Sequence, residues 1–203
     1  MKLFDIFKRG ATKSGSEMRE YLLSEIKRVI DTWDTSDIYA VSLYVEDNGD
    51  NPCEPTVTLG YNTEEHFKAE AENRDDKIEV RWNYAYWQQN REYFFGLDEV
   101  TQPVVERWIN SKGFKCYTYE EMFLSDKEPA PETYEGITQA FVNELVAIVK
   151  ELHKSGFIKA KFGKDIPVLI HELEYYEEIA DQNIKANPPH TVDEFVAFCL
   201  DEY

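Results

Sequence analysis

His171 and Glu172 stand together at the end of an apolar run, "IPVLIHELEYYEEIADQ", and are followed by further carboxylates. A histidine beside a glutamate suggests two chemistries, metal binding and general acid–base work. A zincin helix needs histidines four apart with the glutamate after the first, so that both imidazoles face one ion. Position 175 is Tyr175, so that pattern is not met. His171 with Glu172, Glu174 and Glu177 offers one nitrogen and several oxygens, a poor donor set for a structural or catalytic zinc. The acidic loop "EDNGDNPCE" raises calcium instead. An EF-hand counted from Asp47 would place Gly49 at position three and Thr58 at position twelve, so the ligand pattern fails. Nucleophilic catalysis has no local signature either. Cys53 has no neighbouring base motif, and His66, His153, His171 and His190 are scattered along the chain. The glycines never cluster into a phosphate cradle. No cofactor is expected. An uncharacterised hydrolase or metal-dependent enzyme centred on His171 and Glu172 stays open as an alternative, with no reaction class attached.

Charge is the stronger signal. The 203 residues carry 40 acidic and 22 basic side chains, a net charge of −18. Residues 1–33 hold seven basic and five acidic groups, whereas 165–203 hold ten acids and one lysine. A field of this sign repels nucleic-acid backbones. It attracts a basic protein and speeds the encounter. The residues expected to form such a docking patch are Glu172, Glu174, Tyr175, Glu177, Glu178 and Asp181, with Asp47 and Asp50 adding to it. A plain solvated surface, in a structural or housekeeping domain without a specific site, is the alternative.

The elements that must hold these residues read as follows. Residues 1–9 form a short basic, amphipathic piece, and "GATKSGS" reads as a link, so 1–15 is set apart from a domain over 16–203. Ser14 and Glu17 resemble a capping box for a helix whose apolar face is Met18, Leu22, Ile26, Val29, Ile30 and Trp33. "DIYAVSLYVED" and "PTVTLGYN" read as strands joined in a hairpin. "NTEEHFKAEAEN" is a short helix capped at Asn62 or Thr63. Residues 77–92 fit both periods, and their length favours helix. A helix starts near Pro103 and stops at Gly113, and another runs from Ile137 to Leu152 and ends at Ser155-Gly156. "DIPVLIH" is a buried strand with the pattern of a covered, central position. Leu173, Tyr176, Ala180 and Ile184 then predict a helix over 173–186, and Thr191 with Glu194 predicts a capping box for a final helix. The class is α+β: a small, mainly antiparallel sheet, made of the hairpin and the late strand, packed by several helices.

Cys53, Cys116 and Cys199 show no disulfide framework or zinc knuckle. No stretch has the length of a membrane span, and the basic N-terminus lacks the continuous apolar core of a signal peptide, which points to the cytoplasm.

Three segments, "SLYVEDNGDNPCEPTVTLGYNTEEH", "RWNYAYWQQN" and "IPVLIHELEYYEEIADQNIKANP", together resemble a group of uncharacterised bacterial cytosolic proteins classed as a domain of unknown function. The resemblance runs from about the first helix to the end. It implies a role for which some members are cited: immunity proteins that neutralise polymorphic toxins. It carries no catalytic residue over to this chain.

Overall fold

The computed structural model describes residues 3–116 and 135–202, with side chains from 17 and from 136 onward in the two helices that border the undescribed stretches. Helix α1, Leu3–Asp31, runs without a break through the expected link and past the Ser14–Glu17 box. Gly10 and Gly15 each disfavour helix by about 1 kcal/mol. Propagation costs far less than nucleation, so a helix anchored over 18–31 extends across them. The hairpin forms as expected, with β1 (Ile38–Asp47) antiparallel to β2 (Pro55–Thr63). Thr63 caps α2 (Glu64–Ala71) by accepting from the His66 amide.

The ambiguous 77–92 stretch is neither one helix nor one strand. It divides into α3 (Lys77–Trp82), a single 3-10 turn over Tyr84–Tyr86, and a connection to the short strand β3 (Tyr93–Phe95). Asn83 ends the first piece and starts the second, because its side chain accepts from the Ala85 amide. Helix α4 (Gln102–Lys112) has its proline in the first turn and ends at Gly113 with φ 81°, the left-handed conformation that glycine adopts without strain. Helices α5 (Glu135–Lys154) and α6 (Phe157–Phe162) meet at Gly156, also left-handed at φ 76°. Strand β4 (Val168–His171), α7 (Glu177–Ala186) and α8 (Asp193–Cys199) complete the described chain.

The sheet order is β3-β2-β1-β4. It is mixed, which corrects the mainly antiparallel expectation: β4 lies parallel to β1, with Val41 opposite Val168 and Tyr44 opposite His171. The α+β class holds. Alternation assigns the two faces from Ala40 onward, and the register shift between Ile38 and Ala40 puts Tyr39 on the same face as Ala40. Val41, Leu43, Val45, Val168 and Ile170 pack against α1, α4 and α5 in the main core, which holds Ile26, Trp108, Phe141 and Leu145. Tyr39, Ala40 and Leu169 point the other way, into a second core with Trp82, Trp87, Ile179 and Phe195. Both faces of β4 are therefore covered, which is why its sequence is an unbroken apolar run.

Strand β4 is nevertheless an edge, not a central strand, and its outer side is satisfied by side chains. Asn187 accepts from the Val168 amide (2.9 Å) and donates to the Val168 carbonyl (3.0 Å). Asn183 does the same for Ile170, at 2.9 and 2.7 Å. Four helical residues rise about 6 Å and two strand residues about 6.6 Å, so asparagines spaced four apart on α7 match alternate strand residues. The pair substitutes for a fifth strand and removes an edge that would otherwise be open to pairing.

One covalent link departs from the expectation that the cysteines form no disulfide framework. Cys53, in the β1–β2 loop, is disulfide-bonded to Cys116, just after α4, across 63 residues. Such a loop closure restricts the unfolded chain by about 4 kcal/mol. Spacing alone could not pair them, because they belong to different elements. Cys199 is the remaining thiol and is buried.

Candidate functional site

Parallel pairing has a consequence that an antiparallel arrangement would not. The C-terminal ends of β1 and β4 leave the sheet side by side, and both continue into acidic sequence. Beyond Tyr44 come Glu46, Asp47 and Asp50; beyond His171 come Glu172, Leu173 and Glu174. These residues, with Tyr44 and with Thr138 from the first turn of α5, line a depression of about 470 Å3. Hollows outside the carboxyl ends of parallel strands are the usual ligand position in open α/β sheets.

The depression carries five carboxylates, Glu46, Asp47, Asp50, Glu172 and Glu174. Among the described residues none of the five has an ion-pair partner. Asp47 is half in and half out. One oxygen accepts from the Thr138 hydroxyl at 2.6 Å; the other is buried without a described partner. Burial raises its pKa above the ordinary aspartate value, the Thr138 bond opposes this, and the nearby Asp50 charge adds to it. Glu172 is likewise raised by burial. The Tyr176 hydroxyl donates to it at 3.1 Å and counteracts the shift, whereas Asp47 and Glu174 push it further up. The site is thus a concentration of mutually repelling negative charge at the edge of a low-dielectric interior.

His171 does not line the depression; it is buried beside Tyr44, which does. The ring is 2% exposed. One ring nitrogen, Nδ1, lies 3.0 Å from the Glu172 carbonyl, which fixes it as the donor; Nε2 then accepts from the Ser42 hydroxyl at 2.8 Å. Tyr44, Tyr84, Trp87 and Tyr175 surround it at 4.9 to 6.4 Å between ring centres. Desolvation holds the imidazole neutral, with its pKa lowered to about 4. Ser42 and His171 have the atoms of a nucleophile–base pair, but Ser42 is 1% exposed, so no substrate reaches it in this conformation. Both ring nitrogens are engaged, leaving no lone pair for a metal ion.

The expected patch is divided by the structure. Glu172, Glu174, Asp47 and Asp50 come together in the depression. Tyr175 turns inward, and its hydroxyl accepts from the Tyr84 amide at 2.7 Å while its ring packs on Phe195 and Phe198. Glu177, Glu178 and Asp181 lie on exposed α7, and Asp181 is 3.5 Å from Lys185. Helix α7 begins at Glu177 rather than 173, so Glu172 and Glu174 share no helical face with them. The reason is the asparagine pair: docking Asn183 and Asn187 on the sheet edge buries Ile179, Ala180, Asn183 and Ala186 and turns Ile184 outward. Leu173 is 64% exposed at the rim of the acids. Glu46, Thr138 and Leu173 are site residues that the sequence reading missed. Glu46 had a visible signal, since it precedes Asp47 at the end of an alternating strand; Thr138 lies 91 residues away and had none.

Among the described residues no helix is long and apolar enough to cross a membrane. No curated protein and no solved structure matches the chain. A family model does: it covers residues 18–186, from the first described buried residue of α1 to the last residue of α7, and so takes in the sheet, the main core and the acidic depression, but not the part of the second core that α8 supplies. The chain belongs to the family described as a domain of unknown function, DUF4303.

Proposed function

We propose that the chain is a protein-binding module whose acidic depression docks a basic partner, in the manner of an immunity protein that covers a cationic enzyme. The observation that supports this reading most is the set of five carboxylates around the depression with no described cation. A guanidinium or ammonium group from a partner would relieve their repulsion and take up acceptors that have no partner among the described residues. The exposed Leu173 offers an apolar contact at the same rim, the mixture of anchor and charge that protein interfaces use. A toxin nuclease is the partner type the reading favours, because its phosphate-binding face is cationic and would be occluded by such a surface.

The test combines capture and kinetics. The chain retrieves its partner from native cells at low salt, and washing at high salt releases it. Association is then measured for the wild type and for a variant with Glu46→Lys, Asp50→Lys and Glu174→Lys, three exposed positions whose reversal leaves both cores intact. The on-rate falls about tenfold or more and its salt dependence flattens. Reversal of Glu177 and Glu178, away from the depression, has a smaller effect. Equal on-rates for the wild type and the triple variant would remove the depression from the interface.

A further inference from the structure

The β1–β2 loop, residues 48–54, forms a wall shared by two hollows. On one flank, Gly49 and Asp50 line the acidic depression. On the other, Asn48, Asn51, Cys53 and Glu54 face Gln102, Val105 and Ile109 of α4 across a cavity of about 670 Å3, and Cys116 closes its rim. The loop is internally bonded. The Asn48 amide donates to the Glu54 carbonyl (3.1 Å), the Glu54 amide to the Asn51 carbonyl (2.8 Å), the Cys53 amide to the Asn51 side chain (3.1 Å), and the Asn48 side chain to the Glu54 carboxylate (2.6 Å). Among the described residues, no hydrogen bond ties residues 48–54 to anything outside the loop. Its attachments to the body are the ends of β1 and β2, the partial burial of Cys53 against the main core, and the bond to Cys116.

We propose that the Cys53–Cys116 disulfide is a redox latch that fixes this loop and thereby sets the shape of the acidic docking surface. The regulatory part rests on the docking reading above; the latch itself does not. Cys116 is exposed, so a reductant reaches the bond without unfolding the chain. A dithiol donor reduces it in two steps. One donor thiolate attacks a sulfur of the pair, forming a mixed disulfide and expelling the other cysteine as thiolate. The second donor thiolate then displaces the remaining cysteine. Two electrons and two protons arrive on Cys53 and Cys116, and the donor leaves as its own disulfide. Cys199 is buried within the second core and does not compete in the exchange. With the bond open, the loop keeps its internal hydrogen bonds but loses its one covalent hold on the α4 side, and the neighbouring cavity gives it room to move. Asp50 moves with it and no longer holds a fixed position relative to Glu172 and Glu174, while Glu46 and Asp47 stay in β1.

The experiment uses the full chain, oxidised and then treated with dithiothreitol under native conditions. Mass spectrometry follows the gain of two hydrogens, and amide hydrogen exchange is read by segment. The expected result is reduction without unfolding, with exchange in 48–54 about tenfold or more faster while Val168–His171 keeps its protection. Cys53→Ser and Cys116→Ser each reproduce the fast loop without reductant. Two results overturn the latch: a bond that opens only when the whole chain unfolds, or a loop that exchanges at the same rate with the bond open. Because exchange is read on the free chain, failure of the docking reading leaves this result standing. A working latch whose two redox states bind a basic partner equally removes only the link to docking.

Discussion

His171 links the candidate site to pH. Its pKa lies near 4 in the folded chain because burial penalises the charged ring, against an ordinary value of 6.5. Between those values the unfolded chain binds a proton that the folded chain refuses. Stability contributed by the neutral ring is therefore complete above pH 6.5 and is lost progressively as pH falls toward 4. A 2.5-unit difference corresponds to a total of about 3 kcal/mol, of which about 2 kcal/mol is lost by pH 5. His171→Gln removes the titration while leaving an acceptor near the Ser42 hydroxyl. Other groups also titrate: burial raises Asp47 and Glu172, and ion pairing lowers Glu64 and Glu144. Subtraction of wild type from variant removes these shared contributions. Urea unfolding at pH 7.5 and 5.0 supplies the numbers. The wild type is the more stable at pH 7.5, and its advantage shrinks by about 2 kcal/mol at pH 5.0. The imidazole signals in proton NMR stay those of a neutral ring down to about pH 5. An advantage that does not change with pH, or a ring that titrates near 6.5, would show that the histidine is not held in a dry, aromatic setting.

Two further outcomes test the frame around the site. Glu144 is 2% exposed and joins three helices: Arg19 of α1 reaches it at 2.6 Å and Lys112 of α4 at 2.8 Å. Glu144→Ala leaves both cations without their partner, and because each can turn partly to water the loss sits near the lower end for broken buried pairs, about 3 kcal/mol by urea unfolding; a loss below about 1 kcal/mol refutes the linking role. Asn183→Ala leaves the Ile170 amide without its described outer-edge partner, while Gln182 still donates to the Ile170 carbonyl at 2.8 Å; the cost is about 2 kcal/mol, with faster exchange of the Ile170 amide. Asn183→Asp recovers little, because a buried carboxylate cannot donate and its charge would lie against the Ile170 carbonyl oxygen; full recovery would refute the two-way amide bond.

What could be read from residues alone followed from single-element physics. Alternation fixed the hairpin; Thr63, Pro103 and Gly113 fixed helix ends; and an apolar run fixed β4 as buried on both faces. What escaped depended on partners distant in sequence. Leu173, Tyr176, Ala180 and Ile184 have helical spacing, yet only Ala180 is buried. The buried face of α7 includes a polar residue, Asn183, because that residue serves the sheet edge, and no hydrophobic periodicity registers an asparagine as core. The box expected from Thr191 and Glu194 does not form. Val192 precedes the helix, His190 bonds to Asp193, and Glu194 lies 3.7 Å from Arg81 instead. Residues 77–92 satisfy both periods because their aromatics serve two short turns around Asn83. At the site, acid content was plain, but the gathering of Asp47 and Asp50 with Glu172 and Glu174 required the parallel register of β1 and β4.

The shifts in carboxyl pKa separate two populations of acid, and the separation bears on function. Where an acid serves the fold, the chain supplies its counter-charge: Glu144 has Arg19 and Lys112, Glu64 has Arg81, and both carboxyl pKa values are pulled down despite burial. At the depression the sign is opposite. Asp47 and Glu172 are pushed up, by burial first and by neighbouring acids in addition. A group whose pKa is raised in the folded chain is destabilised in its charged form, so at neutral pH these two carboxylates oppose folding rather than support it. A lysine or arginine at Leu173 or Glu174 would reverse this at the surface without disturbing either core, since both positions are exposed. The chain instead carries an apolar and an acidic residue there. A fold that neutralises its structural acids and gives this group no counter-charge among the described residues has a surface whose electrostatic energy improves when a cation arrives from outside, and that is the physical basis for the docking site proposed at the joined ends of β1 and β4.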